Sequence, residues 1–207
     1  MTKKNTTKIL KEPVGLVGLG LMGQGIATCL LAHGFEVVAH NRTLKRARSS
    51  LAHIARALDE MVRRKLTAKA KIRDWRDRYR LAPALDELAP CALVVETAKE
   101  DLTLKREIYA TLEQVLSERA VISSNTSSIP ISLLQEGRRH PERFIGMHWG
   151  EPVQVMRYLE ITPGSLTSPA TVQFARRFGQ VRPGNQNHHR THGKPRQSLA
   201  QAHAVEE

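Results

Sequence analysis

Two cysteines in 207 residues, Cys29 and Cys91, leave no disulfide framework to staple this chain. Both stand in apolar stretches, Ala27 to Leu31 and Cys91 to Val95, where a thiol packs as a small hydrophobe. They read as reduced core residues of a cytosolic protein. Long apolar runs are missing too: Val14 to Leu21 is short and broken by glycines, and no stretch approaches the roughly 18 residues of a membrane helix. With the polar opening Met1-Thr2-Lys3-Lys4-Asn5, this predicts a soluble, cytoplasmic chain with no membrane contact. Aromatics are scarce, at 4%. That scarcity bears on the formal charge of +12: the basic residues are spread out, few rings are available to stack on bases, and no nucleic-acid motif is present. The charge therefore predicts an Arg-rich surface, part of which receives small-ligand phosphates, and no nucleic-acid partner.

The length suffices for one well-filled domain with a small appendage. Val14 to Gly18 reads as a buried parallel strand, Met22 to His33 as a helix stopped by Gly34, and Phe35 to Ala39 as a second strand. Thr43 can cap a long helix to about Leu66, followed by a charged connector, Lys69 to Arg80. Ala92 to Glu96 and Ala120 to Ser123 repeat the strand signature around an amphipathic helix, Leu102 to Leu116. Arg143 to His148 and Met156 to Ile161 are two further strands joined by a loop holding Pro152, and Ser168 to Phe178 is a closing helix. Strands alternating with helices predict an α/β, Rossmann-like doubly wound, mostly parallel sheet with flanking helices over residues 12–180. Residues 181–207 lack any apolar period and read as a disordered tail. Its four histidines have no Cys or carboxylate partners at ligand spacing, so no metal is expected.

Gly18-Leu19-Gly20-Leu21-Met22-Gly23 fits G-x-G-x-x-G. Alone the hexapeptide is weak; here it follows a strand, opens a helix and precedes a second strand, which gives each glycine a task at a dinucleotide pyrophosphate. The helix N-terminus adds N–H groups and a positive dipole end. The second strand ends in His40-Asn41-Arg42-Thr43, where an acid would normally accept the ribose hydroxyl of NAD. Neutral Asn41 does not repel a 2′-phosphate and Arg42 can pair with one, which predicts NAD or NADP as cofactor; Arg42 equally fits the solvated start of a helix.

A nicotinamide reaction needs a group that exchanges a proton with an alcohol or carbonyl. His148 ends a strand near the carboxyl edge of the sheet, and Glu160 on the next strand can orient it.

Four segments, in order, now carry a resemblance: Gly18 to Ala27, Glu100 to Lys105, Ser124-Asn125-Thr126-Ser127-Ser128, and Glu142 to His148 running on through Pro152 to Glu160. From about residue 12 to 180 the chain resembles the NAD-binding domain of 3-hydroxyacyl-CoA dehydrogenases. The resemblance implies that His148 is the general acid or base, that Glu160 orients it, and that Ser127 contacts the substrate's β-oxygen. It implies cofactor contacts at Glu100 and Lys105, an acyl-CoA substrate, and CoA phosphates near the cluster Arg63, Arg64 and Lys65, which also fits a solvated helix face. A homodimer is implied as well. Two departures stand out. Glu151 replaces the asparagine usual three residues after the histidine, so a carboxylate meets the substrate where an amide is normal. After Gln180 no helical domain of the kind that covers the acyl site and supplies dimer contacts is recognisable, which suggests a frameshifted or truncated reading frame. Two alternatives remain: an NADP-dependent short-chain β-hydroxyacid dehydrogenase, and a cofactor-binding remnant without catalysis.

Overall fold

The computed structural model describes residues 12–156 and 158–180. Seven strands form one sheet: β1 (Val14–Val17), β2 (Val37–His40), β3 (Tyr79–Ala82), β4 (Leu93–Glu96), β5 (Val121–Ser124), β6 (Phe144–Trp149) and β7 (Leu159–Pro163), in the order β3-β2-β1-β4-β5-β6-β7. All pairings are parallel except β6 with β7. The chain therefore winds outward from β1 to β3, then returns to β4 beside β1 and continues the other way. The reversal leaves a crevice at the carboxyl ends of β1 and β4, where open α/β sheets take their ligands.

Helices α1 (Leu21–Ala32), α2 (Leu44–Arg63), α3 (Leu102–Val115), α4 (Ile131–Gln135) and α5 (Pro169–Gln180) cover the sheet. Side chains of a strand alternate between faces, and both faces here are apolar. Leu16 and Val95 join a core with Ile26, Ile54 and Phe178 beneath α1, α2 and α5. Val17 and Val94 join Tyr109, Leu112 and Leu134 beneath α3 and α4. Leu16, Val94 and Val95 are fully buried, each contributing about 1.5–3 kcal/mol relative to exposure.

Three local expectations change. The connector hides a turn of 3-10 helix, Lys69–Ile72, and the start of β3, and a second such turn, Leu85–Leu88, follows that strand. Helix α2 stops at Arg63, because Lys65 turns left-handed at φ 57°. Thr43 occupies the N-cap position of α2 without capping through its side chain, and its hydroxyl accepts from Asn41 Nδ2 at 3.3 Å. No helix among the described residues is long and apolar enough to cross a membrane. The expected tail, 181–207, lies outside the described residues.

Candidate active site

The glycine turn follows β1 at the crevice. Gly18 adopts φ +99°, and a Cβ there would stand 2.9 Å from the Thr97 carbonyl. A Cβ on Gly23 would stand 2.0 Å from the Gly18 carbonyl oxygen, so the first turn of α1 lies directly on the turn. Thr97, after β4, pins the loop: its amide donates to Val17 O at 2.8 Å and its hydroxyl to Gly18 O at 2.9 Å. Gly20 differs from both, because nothing lies within 4 Å of a Cβ built on it. That open face, at the N-terminus of a helix with no side-chain cap and no acid in its first turn, fits a dinucleotide pyrophosphate. Leu21 beside it is 62% exposed, and Met22 is partly buried against the core.

Asn41 reaches back into this turn. Its Oδ1 accepts from the Leu19 amide at 3.1 Å, and its Nδ2 donates to Thr43 O at 3.1 Å. One neutral side chain thus joins the end of β2 to the phosphate loop, and the exposed Arg42 stands next to it.

Antiparallel pairing settles the reach between His148 and Glu160. They are direct cross-strand partners, with Nδ1 to Oε2 at 3.5 Å, and both side chains remain partly exposed. Because β7 runs opposite to β6, its beginning lies at the carboxyl edge of the parallel strands, beside the crevice. The backbone at His148 is held from β5: Asn125 Oδ1 accepts the Trp149 amide at 2.9 Å. Ser127 is exposed in the loop after β5, and Glu151 is exposed in the turn after β6.

Lys105 and Glu100, both expected at the cofactor, lie within one hydrogen-bonded cluster. Lys105 is 1% exposed. It donates to Glu96 Oε1 and Oε2 at 2.8 and 2.9 Å and lies 3.4 Å from Glu100 Oε2. Glu100 Oε1 is already occupied by the Thr126 hydroxyl and by the Ser128 amide and hydroxyl at 3.2 and 3.0 Å. Burial pushes the Glu100 carboxyl up, but the Thr126 hydrogen bond, the Lys105 ammonium and Ser128 together bring it down to about 2. Arg64 stands at the C-terminal end of α2. Helix α2 leaves the crevice edge and its 20 residues span about 30 Å. Its end therefore lies by the far end of α1, where Thr67 Oγ1 donates to Ala32 O at 3.3 Å. There Arg63 and Arg64 both pair with Glu60.

Residue-type reasoning overlooked Glu96, Thr97 and Asn125. Glu96 had a visible signal, a carboxylate ending the apolar run Leu93-Val94-Val95. It is fully buried and accepts also from Tyr109, from Ser124 Oγ at 2.9 Å and from the Ala98 amide at 2.6 Å. Burial and the Glu96 carboxylate hold the Tyr109 phenol well above its ordinary pKa. Among the described residues no group of three or more His, Cys, Asp or Glu side chains is arranged to hold a metal.

A doubly wound sheet with a glycine turn at its switch point, an open Gly20 face and a His–Glu pair at the same edge defines a Rossmann-type nicotinamide-dinucleotide oxidoreductase domain. More narrowly, residues 13–182 match the family model for the 3-hydroxyacyl-CoA dehydrogenase NAD-binding domain, and the chain belongs to that family. It is 38% identical over 167 residues to a 3-hydroxybutyryl-CoA dehydrogenase of Bradyrhizobium diazoefficiens, covering 81% of this chain and 57% of that protein. A 5-formyl-3-hydroxy-2-methylpyridine 4-carboxylate 5-dehydrogenase of Mesorhizobium japonicum is 31% identical over 79% of this chain and 52% of its own. Among solved structures, the (S)-3-hydroxybutyryl-CoA dehydrogenase of Ralstonia eutropha superposes with a TM-score of 0.75 at 31% identity, over 81% of this chain and 61% of that one. The chain thus spans a little over half the length of these relatives.

Proposed function

We propose that this chain carries the cofactor half and the proton-transfer pair of a 3-hydroxyacyl-CoA dehydrogenase. The observation that carries the reading is the cross-strand pair of His148 and Glu160 at the crevice edge. With Nδ1 turned toward Glu160, Nε2 is the ring nitrogen left for the substrate. The Glu160 carboxylate fixes that tautomer and stabilises the imidazolium that forms. In the oxidative direction, Nε2 takes the hydroxyl proton of a 3-hydroxyacyl thioester as the C3–O bond becomes a carbonyl. A bound nicotinamide supplies the acceptor for the hydride leaving C3. Ser127, exposed beside the crevice, donates to the same oxygen, and Glu151 faces the substrate across the turn that follows His148.

NAD is the cofactor in this reading, and the neutral Asn41 with Arg42 supports tolerance of NADP. The family match weighs against the short-chain β-hydroxyacid alternative. Two buried cysteines in apolar surroundings, Cys29 and Cys91, support a reducing, cytoplasmic setting. Titration with NADH followed by acetoacetyl-CoA reduction tests the reading. Binding with turnover is expected; binding without turnover would mark a remnant, and no binding would overturn the proposal.

A further inference from the structure

We propose that Glu96 is a positioning residue for the reaction, fixing the loop that presents Ser127 through a relay of Lys105 and Glu100. The inference rests on the role given to Ser127 above. Glu96 gathers donors from three places: the loop after β4 (Ala98), the end of β5 (Ser124) and helix α3 (Lys105 and Tyr109). The Lys105 ammonium meets three acceptor oxygens, two on Glu96 and one on Glu100. Glu100 then binds Thr126 and Ser128, the residues flanking Ser127 on either side. Thr126 Oγ1 closes the loop by accepting from the Ile129 amide at 2.9 Å. Ser127, exposed like Ser128, stands between two clamped neighbours.

A buried ion pair is a poor device for stability, because desolvating two charges costs several kcal/mol and apolar residues of the same volume do as well or better. What the relay supplies is geometry. A Lys–carboxylate chain ties the rigid end of β4 to the middle of a surface loop whose start is held through Asn125, by its amide on Glu96 O and its Oδ1 on the Trp149 amide, and catalytic groups held on such a second layer keep their placement.

Amide hydrogen exchange and kinetics on the full chain test this together. Glu100→Ala cuts the relay at a side chain that is 37% exposed, where folding is not at risk. Glu96→Gln with Lys105→Met removes both buried charges at once and so avoids leaving one unpaired. In both variants the amides of Ser128 and Ile129 should exchange about tenfold faster or more, while those of β1 and α1 stay within about twofold. Acetoacetyl-CoA reduction should lose about tenfold or more in kcat at a little-changed NADH dissociation constant, and adding Ser127→Ala should cost little further. Unchanged exchange at residues 126–129 in the Glu100→Ala protein overturns the proposal, as does a loosened loop with full kcat. If the unaltered chain shows no turnover, the reaction assignment fails, and the exchange data still decide whether the relay holds the loop.

Discussion

Asn41 anchors the glycine turn through the Leu19 amide, and in the proposed reading it also leaves the ribose subsite without a carboxylate. An aspartate at this position would keep the first role, since its carboxylate accepts the same N–H, and would repel a 2′-phosphate. The unaltered chain is therefore expected to bind NADPH and NADH with dissociation constants within about tenfold of each other, about 1.4 kcal/mol. Asn41→Asp should shift the balance toward NADH by a similar factor. NADH bound more than tenfold tighter by the unaltered chain would contradict this, and isothermal titration reads it directly. Sequence reasoning could bring together residues whose type and spacing are local: three glycines in one turn, and a histidine with a glutamate on the next strand. It did not show that Lys105 is buried or where α2 carries Arg64, because burial and helix direction are not written in residue type. Glu96 was overlooked for the same reason, its partners lying 9, 13 and 28 positions away.

At the scale of elements, the turn between β1 and α1 gives two of its glycines opposite tasks. Gly23 is required by the fold, since a methyl group 2.0 Å from the Gly18 oxygen forces α1 off the sheet. Gly20 is not required by the fold, since its Cβ would point into open space, and in the proposed reading the cofactor is what requires it. Gly23→Ala should therefore cost about 3 kcal/mol, the upper end of ordinary overpacking, read as a lower midpoint of urea unfolding. Gly20→Ala should leave that midpoint nearly unchanged and weaken NADH binding about tenfold or more. Equal effects of the two substitutions on stability would contradict the division. Central elements were legible from their apolar runs, because β1, β4 and β5 are buried on both faces. Strand β3 was not: it is a four-residue edge strand, Tyr-Arg-Leu-Ala, whose exposed Arg80 blends into the basic connector before it. Helix α4 spans only five residues, too few for a helical period to show.

Over the whole molecule, the doubly wound order turns a linear string of motifs into one edge. The turn after β1, Asn41 after β2, Thr97 after β4, the Ser127 loop after β5 and His148 in β6 all arrive there because parallel strands end on the same side. Glu160 arrives there because its strand alone runs the other way. Alternation of strands and helices made the parallel layers readable, while the reversal of β7 became visible only in the pairing. The chain spans a little over half the length of its relatives, so the central claim concerns the groups it does hold. The most direct measurement is acetoacetyl-CoA reduction by the His148→Gln protein beside the unaltered chain, with NADH affinity measured on both. Loss of the imidazole should lower kcat by about 100-fold to 10,000-fold, the usual worth of a general acid or base, with NADH affinity unchanged within about twofold. A His148→Gln protein that binds NADH normally and keeps full turnover would contradict the account.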